Sequence, residues 1–479
     1  MGITLLFLDF TGTVHHLLGF MAKIQFLPAV LALNFVVVAA MIVLTLVFGR
    51  IYCSVICPLG ILQDMLSHLN RKKRKYWYSS EVKWLRYPVL VLFVAALVAG
   101  IGSVFQLLEP YSAFGRIATM ILQPVWMLGN NILGYIAERA DSYAFYTVDV
   151  WVKSLPVLII ALATLLLLVV LAWRGGRTYC NTVCPVGTLL SLLARFSLLK
   201  IKFDEEKCKK CSKCSTHCKA ACIDYKKQTV DYSRCVVCGN CIDHCSFGAL
   251  KYSLRNQNTQ NTQSNQSTSI DSSKRSFLLA STMIATTAMA QKKEKLMDGG
   301  LAELEDKVAP KRQTPLTPPG SLSFQQFAQH CTGCQLCVSE CPNQVLRPSS
   351  DLMHLMLPVM SYERGYCRPE CTRCSEVCPA GAIKPFDKVD KSAIHIGHAV
   401  WVKKNCVPLT DGVECGNCAR HCPTGAIVMV MLNEEDDESP MVPAVNEEAC
   451  IGCGACEYVC PARPFSAIIV EGNEVHRKG

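Results

Sequence analysis

Cys208-Lys209-Lys210-Cys211-Ser212-Lys213-Cys214-Ser215-Thr216-His217-Cys218 and Cys235-Val236-Val237-Cys238-Gly239-Asn240-Cys241-Ile242-Asp243-His244-Cys245 are two copies of one pattern, C-x2-C-x2-C-x3-C. A cubane iron–sulfur cluster presents four iron corners, and each needs one thiolate. Three closely spaced cysteines wrap one cluster, and the fourth reaches across to the neighbouring cluster of the pair. Cross-pairing assigns Cys208, Cys211, Cys214 and Cys245 to one cluster, and Cys235, Cys238, Cys241 and Cys218 to the second. Zinc takes four N/S ligands and is usually met by two C-x2-C pairs. A third cysteine at x2 and a fourth at x3, repeated, points to the cluster instead. Lys219 and Ser246 stand where the commonest form of the motif carries proline. That proline shapes backbone and binds no iron, so the assignment does not depend on it.

Four more cysteine groups follow. Cys331, Cys334, Cys337, Cys341 and Cys450, Cys453, Cys456, Cys460 keep the spacing. Cys367, Cys371, Cys374, Cys378 and Cys406, Cys415, Cys418, Cys422 widen the first gap. In all four the last cysteine precedes a proline: Pro342, Pro461, Pro379 and Pro423. Cross-pairing gives Cys331, Cys334, Cys337 with Cys378, and Cys367, Cys371, Cys374 with Cys341. It also gives Cys406, Cys415, Cys418 with Cys460, and Cys450, Cys453, Cys456 with Cys422. The wider loops are cheap, since each doubling of loop length costs only about 0.6 kcal/mol. Six cages at four thiolates each use 24 of the 29 cysteines, leaving Cys53, Cys57, Cys180, Cys184 and Cys222. An odd count in tight triplets favours shared metal centres over long-range disulfides. Cys222 reads as a spare buried thiol. The acidic run 434–438 reads as a solvated loop.

Hydrophobic residues make up 51% of the 479. They are concentrated in residues 1–175, too apolar for a purely soluble chain. Segments 26–48, 88–108 and 151–173 have the roughly 20 apolar residues that a spanning helix needs. Segment 117–136 is interrupted by Gln123, Pro124, Gly129, Asn130 and Asn131 and reads as an interfacial or re-entrant helix. Residues 3–8 read as the end of a helix too short to cross alone. Loop 49–87 holds eight Lys/Arg, with the run 71–75 among them, and 174–210 holds eight more; loop 109–150 holds only Arg116 and Arg139. The positive-inside rule places the two basic segments in the cytoplasm and the middle loop outside. A basic run between two membrane helices reads as a topology signal, and no nucleic-acid partner is expected.

Residues 256–269 are fourteen consecutive Asn, Gln, Ser or Thr, a composition that buries no core and serves as a tether. Ser273-Lys274-Arg275-Ser276 then leads into an apolar stretch, 277–290, that ends Ala288-Met289-Ala290. Two readings stand: an export signal close to the twin-arginine type, or a short amphipathic helix lying on the membrane. The layout expected is a transmembrane domain over 1–200, a two-cluster domain over 201–253, a linker with the signal-like segment over 254–320, and a four-cluster domain over 321–479. The fold class is multi-domain: an α-helical membrane domain plus α+β bacterial two-cluster ferredoxin-like domains, one after the membrane domain and two in tandem at the C-terminus.

Arg50-x-Tyr52-Cys53-x3-Cys57-Pro58 and Arg177-x-Tyr179-Cys180-x3-Cys184-Pro185 are an internal repeat, each just beyond a spanning segment. If they meet in one layer they supply four thiolates for a further metal or redox centre. The bland reading is two structural turns with buried thiols.

The membrane half, with both repeats, Glu109-Pro110-Tyr111-Ser112 and Phe114-Gly115-Arg116, together with the eight-cysteine block, resembles the NapH-type membrane polyferredoxins. The stretch from about Lys274 to the end resembles their NapG-type four-cluster partner, signal-like start included. The resemblance covers nearly the whole chain and implies a fusion of the two. It departs from the pattern in a shortened first membrane helix and an imperfect twin-arginine pair. It implies a quinol dehydrogenase module in the bacterial inner membrane, feeding a periplasmic reductase or cytochrome. The first ferredoxin domain would then be cytoplasmic, and the last domain periplasmic if the signal-like segment exports it. Six [4Fe–4S] clusters, the quinone pool, membrane lipid and a redox partner protein are the expected cofactors and partners. A quinol gives two electrons and two protons, so the site needs a proton acceptor near the membrane edge. Outside-facing candidates are Asp9, His15, His16, Glu109 and Tyr111. The competing reading is a non-catalytic relay or assembly factor whose C-x3-C-P thiols handle copper or reduce a partner's disulfide. No G-x-G-x-x-G fingerprint for flavin or nicotinamide stands on a strand–helix turn.

Overall fold

A computed structural model describes residues 2–9, 12–69, 76–142, 144–254, 305–433, 435 and 439–478. The basic run 71–75, the polar tract 256–269, the signal-like segment 277–290 and all but residue 435 of the acidic run 434–438 lie outside the described residues.

Among the described residues one helix, Leu155–Gly175, is long and apolar enough to cross a membrane: 21 residues, with an 18-residue window of mean hydropathy 3.1. Pro156 sits in its first turn, where a missing N–H costs nothing. Gly176 ends it at φ +64°. At 1.5 Å per residue it is about 31 Å long, close to the roughly 30 Å of a hydrocarbon core. Val157, Ala161, Leu168 and Ala172 form its buried stripe, while Ile159, Leu162, Leu166, Leu167 and Trp173 face outward.

The other expected spans differ from their sequence reading. Segment 26–48 is two helices, Phe26–Leu31 and Phe35–Phe48. Leu33 takes φ +54°, and the Asn34 side chain accepts the Val37 amide, so the chain stops and restarts there. Segment 88–108 falls within Lys83–Val98 and Gly102–Leu108, parted at Gly100 with φ +70°. Segment 117–136, expected as an interfacial or re-entrant helix, is helical throughout. Pro110–Ile117, a π-helical turn Ala118–Leu122, and Gln123–Arg139 follow one another directly. The wider π turn takes up the place where Pro124 would otherwise break the i→i−4 ladder. The amides of Asn130 and Asn131 bond the chain at Tyr146 and Val148 instead of breaking the helix. The short first helix, Gly2–Leu8, packs Phe7 edge-on against Phe114, ring centroids 6.0 Å apart.

The cysteine-rich regions are α+β, with small two-stranded antiparallel sheets. In the first region Leu199–Phe203 pairs with Leu250–Leu254, in register from Leu199↔Leu254 to Phe203↔Leu250. In the second, Ile394–Trp401 pairs with Ile468–Lys478 and Ile427–Met431 with Met441–Val445. The third cysteine of every group lies on a helix of one turn: Lys213–Thr216, Asn240–Asp243, Leu336–Ser339, Arg373–Val377, Asn417–Arg420 and Ala455–Val459. The turn before Ala455–Val459 needs glycine. Gly454 has φ +79°, and a Cβ there would lie inside the Tyr362 ring. Residues 307–320, in the expected linker, join the last domain: the Lys307 ammonium donates to the carbonyls of Glu457, Tyr458 and Cys460.

The two cysteine-rich regions grip opposite ends of the Leu155–Gly175 helix. Just before its start, Lys153 donates to the Val338 carbonyl at 3.2 Å. Just beyond its end, the Arg177 amide donates to the Lys219 carbonyl at 2.9 Å. Further polar side chains of the helical region hold each side. Gln106, Ser112 and Gln123 donate to the carbonyls of Cys331, Gly333 and Ser339. Arg50 and Arg86 donate to the Ser233 carbonyl, and Ser54 to that of Val236. These bonds satisfy ligand-loop carbonyls that would otherwise be stranded in the interface.

Candidate metal centres

The fold draws each of the six cysteine sets together. One cavity is lined by Cys208, Cys211, Cys214 and Cys245, with Phe203, Phe247 and Leu250. A second is lined by Cys341, Cys367, Cys371 and Cys374, with Pro342 and Met360. Two more hold Cys406, Cys415, Cys418 and Cys460, and Cys422, Cys450, Cys453 and Cys456. Cys331, Cys334, Cys337 and Cys378 lie within electrostatic reach of one another, as do Cys218, Cys235, Cys238 and Cys241. In every set the fourth thiol comes from the neighbouring group. Among the described residues no three His, Cys, Asp or Glu side chains converge closely enough to hold a single metal ion. Four thiols standing around an apolar cavity fit a cluster, which fills the space between them, better than they fit zinc.

The sets also form an order in space. Cys241 neighbours Cys214 in the first region. In the second, Cys337 neighbours Cys374, Cys453 neighbours Cys367, and Cys456 neighbours Cys418. The Cys367 amide donates to the Cys453 carbonyl at 2.9 Å, tying two of these cages together.

Both C-x3-C-P pairs are buried, and they meet. Cys180 neighbours Cys53, and Cys184 neighbours Cys180, Cys57 and Cys53. The two repeats clasp each other reciprocally. Arg50 donates to the Cys180 carbonyl at 3.1 Å, and Arg177 to the Cys53 carbonyl at 2.7 Å. Gly60 and Gly187, two residues after the prolines, lie so close to the Cys53 and Cys180 carbonyls that a side chain would collide.

The proton-acceptor candidates separate. Asp9 is buried and accepts the amides of Gly12 and Val14, which makes it a local cap. His15 is half-buried near Glu376, and burial with Lys23 lowers its pKa; His16 is exposed. Glu109 and Tyr111 come together beside Cys334. Glu109 also faces Cys57 and Tyr52 on its other side. Its carboxylate accepts the Ser112 amide. Burial pushes its pKa up to about 7, against the amides of Ser112 and Tyr111 and the charge of Arg116. Among the described residues the buried Tyr111 hydroxyl has no partner, nor do Gln106 Oε1, Arg116 Nε and Thr119 Oγ1 close by in the chain.

Cys222 is more than a spare thiol. It is 1% exposed, stands 3.5 Å from the Cys218 sulfur and bonds Cys235 as well. The single thiol hydrogen of Cys222 can serve one of these sulfurs at a time, and a hydrogen bond to a cage sulfur stabilises the extra electron of a reduced cluster. Cys222→Ala should therefore move one midpoint potential to a more negative value in a redox titration followed by EPR. Sequence spacing gave no hint of this contact. Nor did it mark Gln106, Ser112, Gln123 and Lys153 as ties to the second region, since each reads as an isolated polar residue.

Comparison with known proteins agrees in kind. A 4Fe-4S binding domain model matches residues 30–76 and 157–204, which hold both C-x3-C-P repeats. A 4Fe-4S dicluster domain matches 412–463, and another 4Fe-4S binding domain 229–251. The methylamine utilization ferredoxin-type protein MauM of Methylobacillus flagellatus is 32% identical, over 34% of this chain and 70% of that protein. The ferredoxin-type protein NapG of Escherichia coli is 30% identical, over 34% of this chain and 75% of that protein. The ferredoxin-type protein NapF of Escherichia coli is 27% identical, over 34% of this chain and 87% of that protein.

Proposed function

The chain belongs to the ferredoxin-type iron–sulfur proteins that include MauM and NapG, a group built for electron transfer, and from that premise we propose that it is a membrane-bound quinol dehydrogenase component. The two halves read as a NapH-type membrane part and a NapG-type four-cluster part in one chain. The six cysteine sets hold [4Fe–4S] clusters, which supply carriers that take electrons one at a time.

The observation that carries this reading is the site at Glu109 and Tyr111. A buried carboxyl with a pKa near neutrality stands beside an unpartnered buried hydroxyl, next to a thiol of the nearest cysteine set. Buried polar atoms without partners call for a ligand. Quinol oxidation would release two electrons, passed singly to the cysteine-held carriers, and two protons, of which the Glu109 carboxylate takes one and gives it up to water before taking the second. Tyr111 and Gln106 orient the quinol oxygen. The apolar outward face of Leu155–Gly175 meets lipid. The location proposed is the bacterial inner membrane, with the 208–245 region cytoplasmic and the last domain across the bilayer. The redox partner there is a reductase or cytochrome.

The test is direct. A menaquinol analogue added to the anaerobic full chain in detergent should bleach the broad visible absorbance of the clusters. Glu109→Gln should slow bleaching about 100-fold or more, while chemical reduction bleaches both proteins equally. Because the carboxylate is the acceptor, the wild-type rate should rise as pH climbs through about 7, and the variant should lose that limb. A wild type that only soluble donors reduce would leave a relay without quinol chemistry. The reading as a factor that reduces a partner's disulfide is not favoured: Cys53, Cys57, Cys180 and Cys184 are each 3–4% exposed, out of a partner protein's reach.

A further inference from the structure

We propose that loop 349–357 of the last domain dips into the outer leaflet, seating Leu352 and Met353 among lipid acyl chains. It rests on Leu155–Gly175 spanning the membrane and not on quinol chemistry.

Three observations carry it. The first is presentation. Leu352 and Met353 stand side by side at the loop tip, 81% and 75% exposed. Large apolar side chains held together in the open mark a surface that is covered in use. The loop holds them firmly. The Met356 amide donates to the Ser349 carbonyl, and the Ser349 amide to that of Leu357, which closes the base. At the tip the His354 amide donates to the Asp351 carbonyl. The His354 ring stands edge-on to Phe324, centroids 4.7 Å apart.

The second is depth. Met356 is fully buried in a cluster with Met120, Val157 and Ala161, and Leu355 and Leu158 pack against it. Met356 takes φ +71°, a conformation uncommon in a residue with a side chain. Val157 and Ala161 lie about 3 and 9 Å past the helix start at Leu155. The loop base therefore sits within the apolar length of the helix, at the roughly 5–10 Å reached by segments buried in a membrane interface. The same turns of the helix face Leu155, Ile159 and Leu162 outward. Lipid that covers those side chains surrounds the loop as well, and a soluble partner does not reach this layer.

The third is the boundary. Trp151, four residues before Leu155, lies between Arg347 and Arg364, whose guanidinium carbons stand 4.6 and 4.8 Å from its ring centre. Arg347 is on the strand that leads into the loop, and it also pairs with Glu363; Arg364 is exposed. Tryptophan favours the headgroup level of a bilayer, and guanidinium groups meet lipid phosphates there. That level therefore falls at the root of the loop, with the apolar tip beyond it.

The test puts the photocrosslinker p-benzoylphenylalanine in place of Leu352, Met353, Leu166 or Val413, one site at a time. The full chain is irradiated in nanodiscs of phosphatidylethanolamine and phosphatidylglycerol, and adducts are read by mass spectrometry after digestion. All four side chains are exposed, so each replacement leaves the core alone. Leu166, on the outward face of the helix, is the lipid standard, and Val413, in a loop of the last domain, is the water standard. Positions 352 and 353 should give acyl-chain adducts at a yield like that of 166 and at least about tenfold above that of 413. Lipid adducts at 166 alone, adducts from 352 and 353 to a second copy of the chain, or equal yields at 413 overturn the insertion and leave the spanning helix standing. No lipid adduct at 166 either removes the spanning helix and the insertion together. Quinol enters no arm, so a failure of quinol bleaching is a separate result.

Discussion

Asp64→Ala is expected to lower the unfolding free energy by about 3–5 kcal/mol, the usual cost of stranding one member of a buried ion pair. Asp64 holds the Arg177 guanidinium with two bonds, of 2.9 and 2.7 Å, and Lys219 at 3.3 Å. The Arg177 side chain is 1% exposed, so water cannot take over when the carboxylate goes. Arg177 also clasps the opposite repeat through the Cys53 carbonyl, so the damage spreads to the meeting of both C-x3-C-P turns. Asp64→Asn keeps acceptor geometry and should cost less. Asp64→Leu with Arg177→Met, which removes both charges, should recover part of the loss. The check is urea unfolding in detergent followed by circular dichroism, with the double variant closing the cycle. The pH dependence has a definite sign. Burial pushes the Asp64 carboxyl up, but the bonds and charges of Arg177 and Lys219 outweigh it and hold its pKa below the ordinary value. The pair therefore contributes in full above the usual carboxylate pKa of about 4, and its contribution is lost as pH falls through the depressed value. Asp64→Ala should flatten that acid limb.

What could be read from the chain divides along sequence distance. Each cysteine triplet is local, and its spacing alone marks thiols that the fold brings to one cavity. The crossing fourth thiol follows from one geometric rule, and the structure brings Cys245 to the Cys208 group and Cys460 to the Cys406 group accordingly. The R-x-Y-C-x3-C-P repeat was visible as well, but not the reciprocal clasp, because Arg50 finds its partner carbonyl 130 residues away. Helix breaks were harder. Leu33 and Asn34 carry no glycine or proline signal, and the stop there comes from a left-handed residue and a side-chain cap. The helix over 117–136 was legible in spite of Gln123, Asn130 and Asn131, but their partners were not. As residues in an apolar stretch they look like interruptions. In the fold each one bonds a distant carbonyl, and the helix runs through. Polarity marks a tie or a break equally well, and only tertiary structure tells them apart. The docking of loop 331–339 on the helical region is of the same kind, with Gly115 admitting the Cys334 carbonyl where any side chain would collide.

A tag after residue 479 should be cut by protease added to intact spheroplasts, while a tag inserted at Lys226-Lys227 should be cut only after lysis. The expectation combines two independent facts. The described residues of both basic segments, 49–69 with 76–87 and 174–210, lie toward the end of Leu155–Gly175 that holds the Cys208–Cys245 region, and the positive-inside rule puts that end in the cytoplasm. The last domain is bonded at the other end, through Lys153 to Val338, about 31 Å of helix away. A helix of that length and mean hydropathy places its ends in different compartments if it spans. Lys226 and Lys227 are exposed on the turn between Ile223–Asp224 and Thr229–Val230, so an insertion there disturbs no cage. Arg477 and Lys478, beside the terminal tag, are exposed too. The outcome is all-or-none for each tag. Protection of both before lysis would put every cysteine set in the cytoplasm. The contacts at Lys153 would then belong to a helix lying among protein, and a partner beyond the membrane would be out of reach. Cleavage of the first tag alone requires the last domain to reach the far side before it docks on Gln106, Ser112 and Gln123. On the export reading of Lys274-Arg275 and the apolar stretch after it, that segment serves this step. Replacing both basic residues with glutamine should then retain the terminal tag inside and leave the Lys226-Lys227 tag where it was.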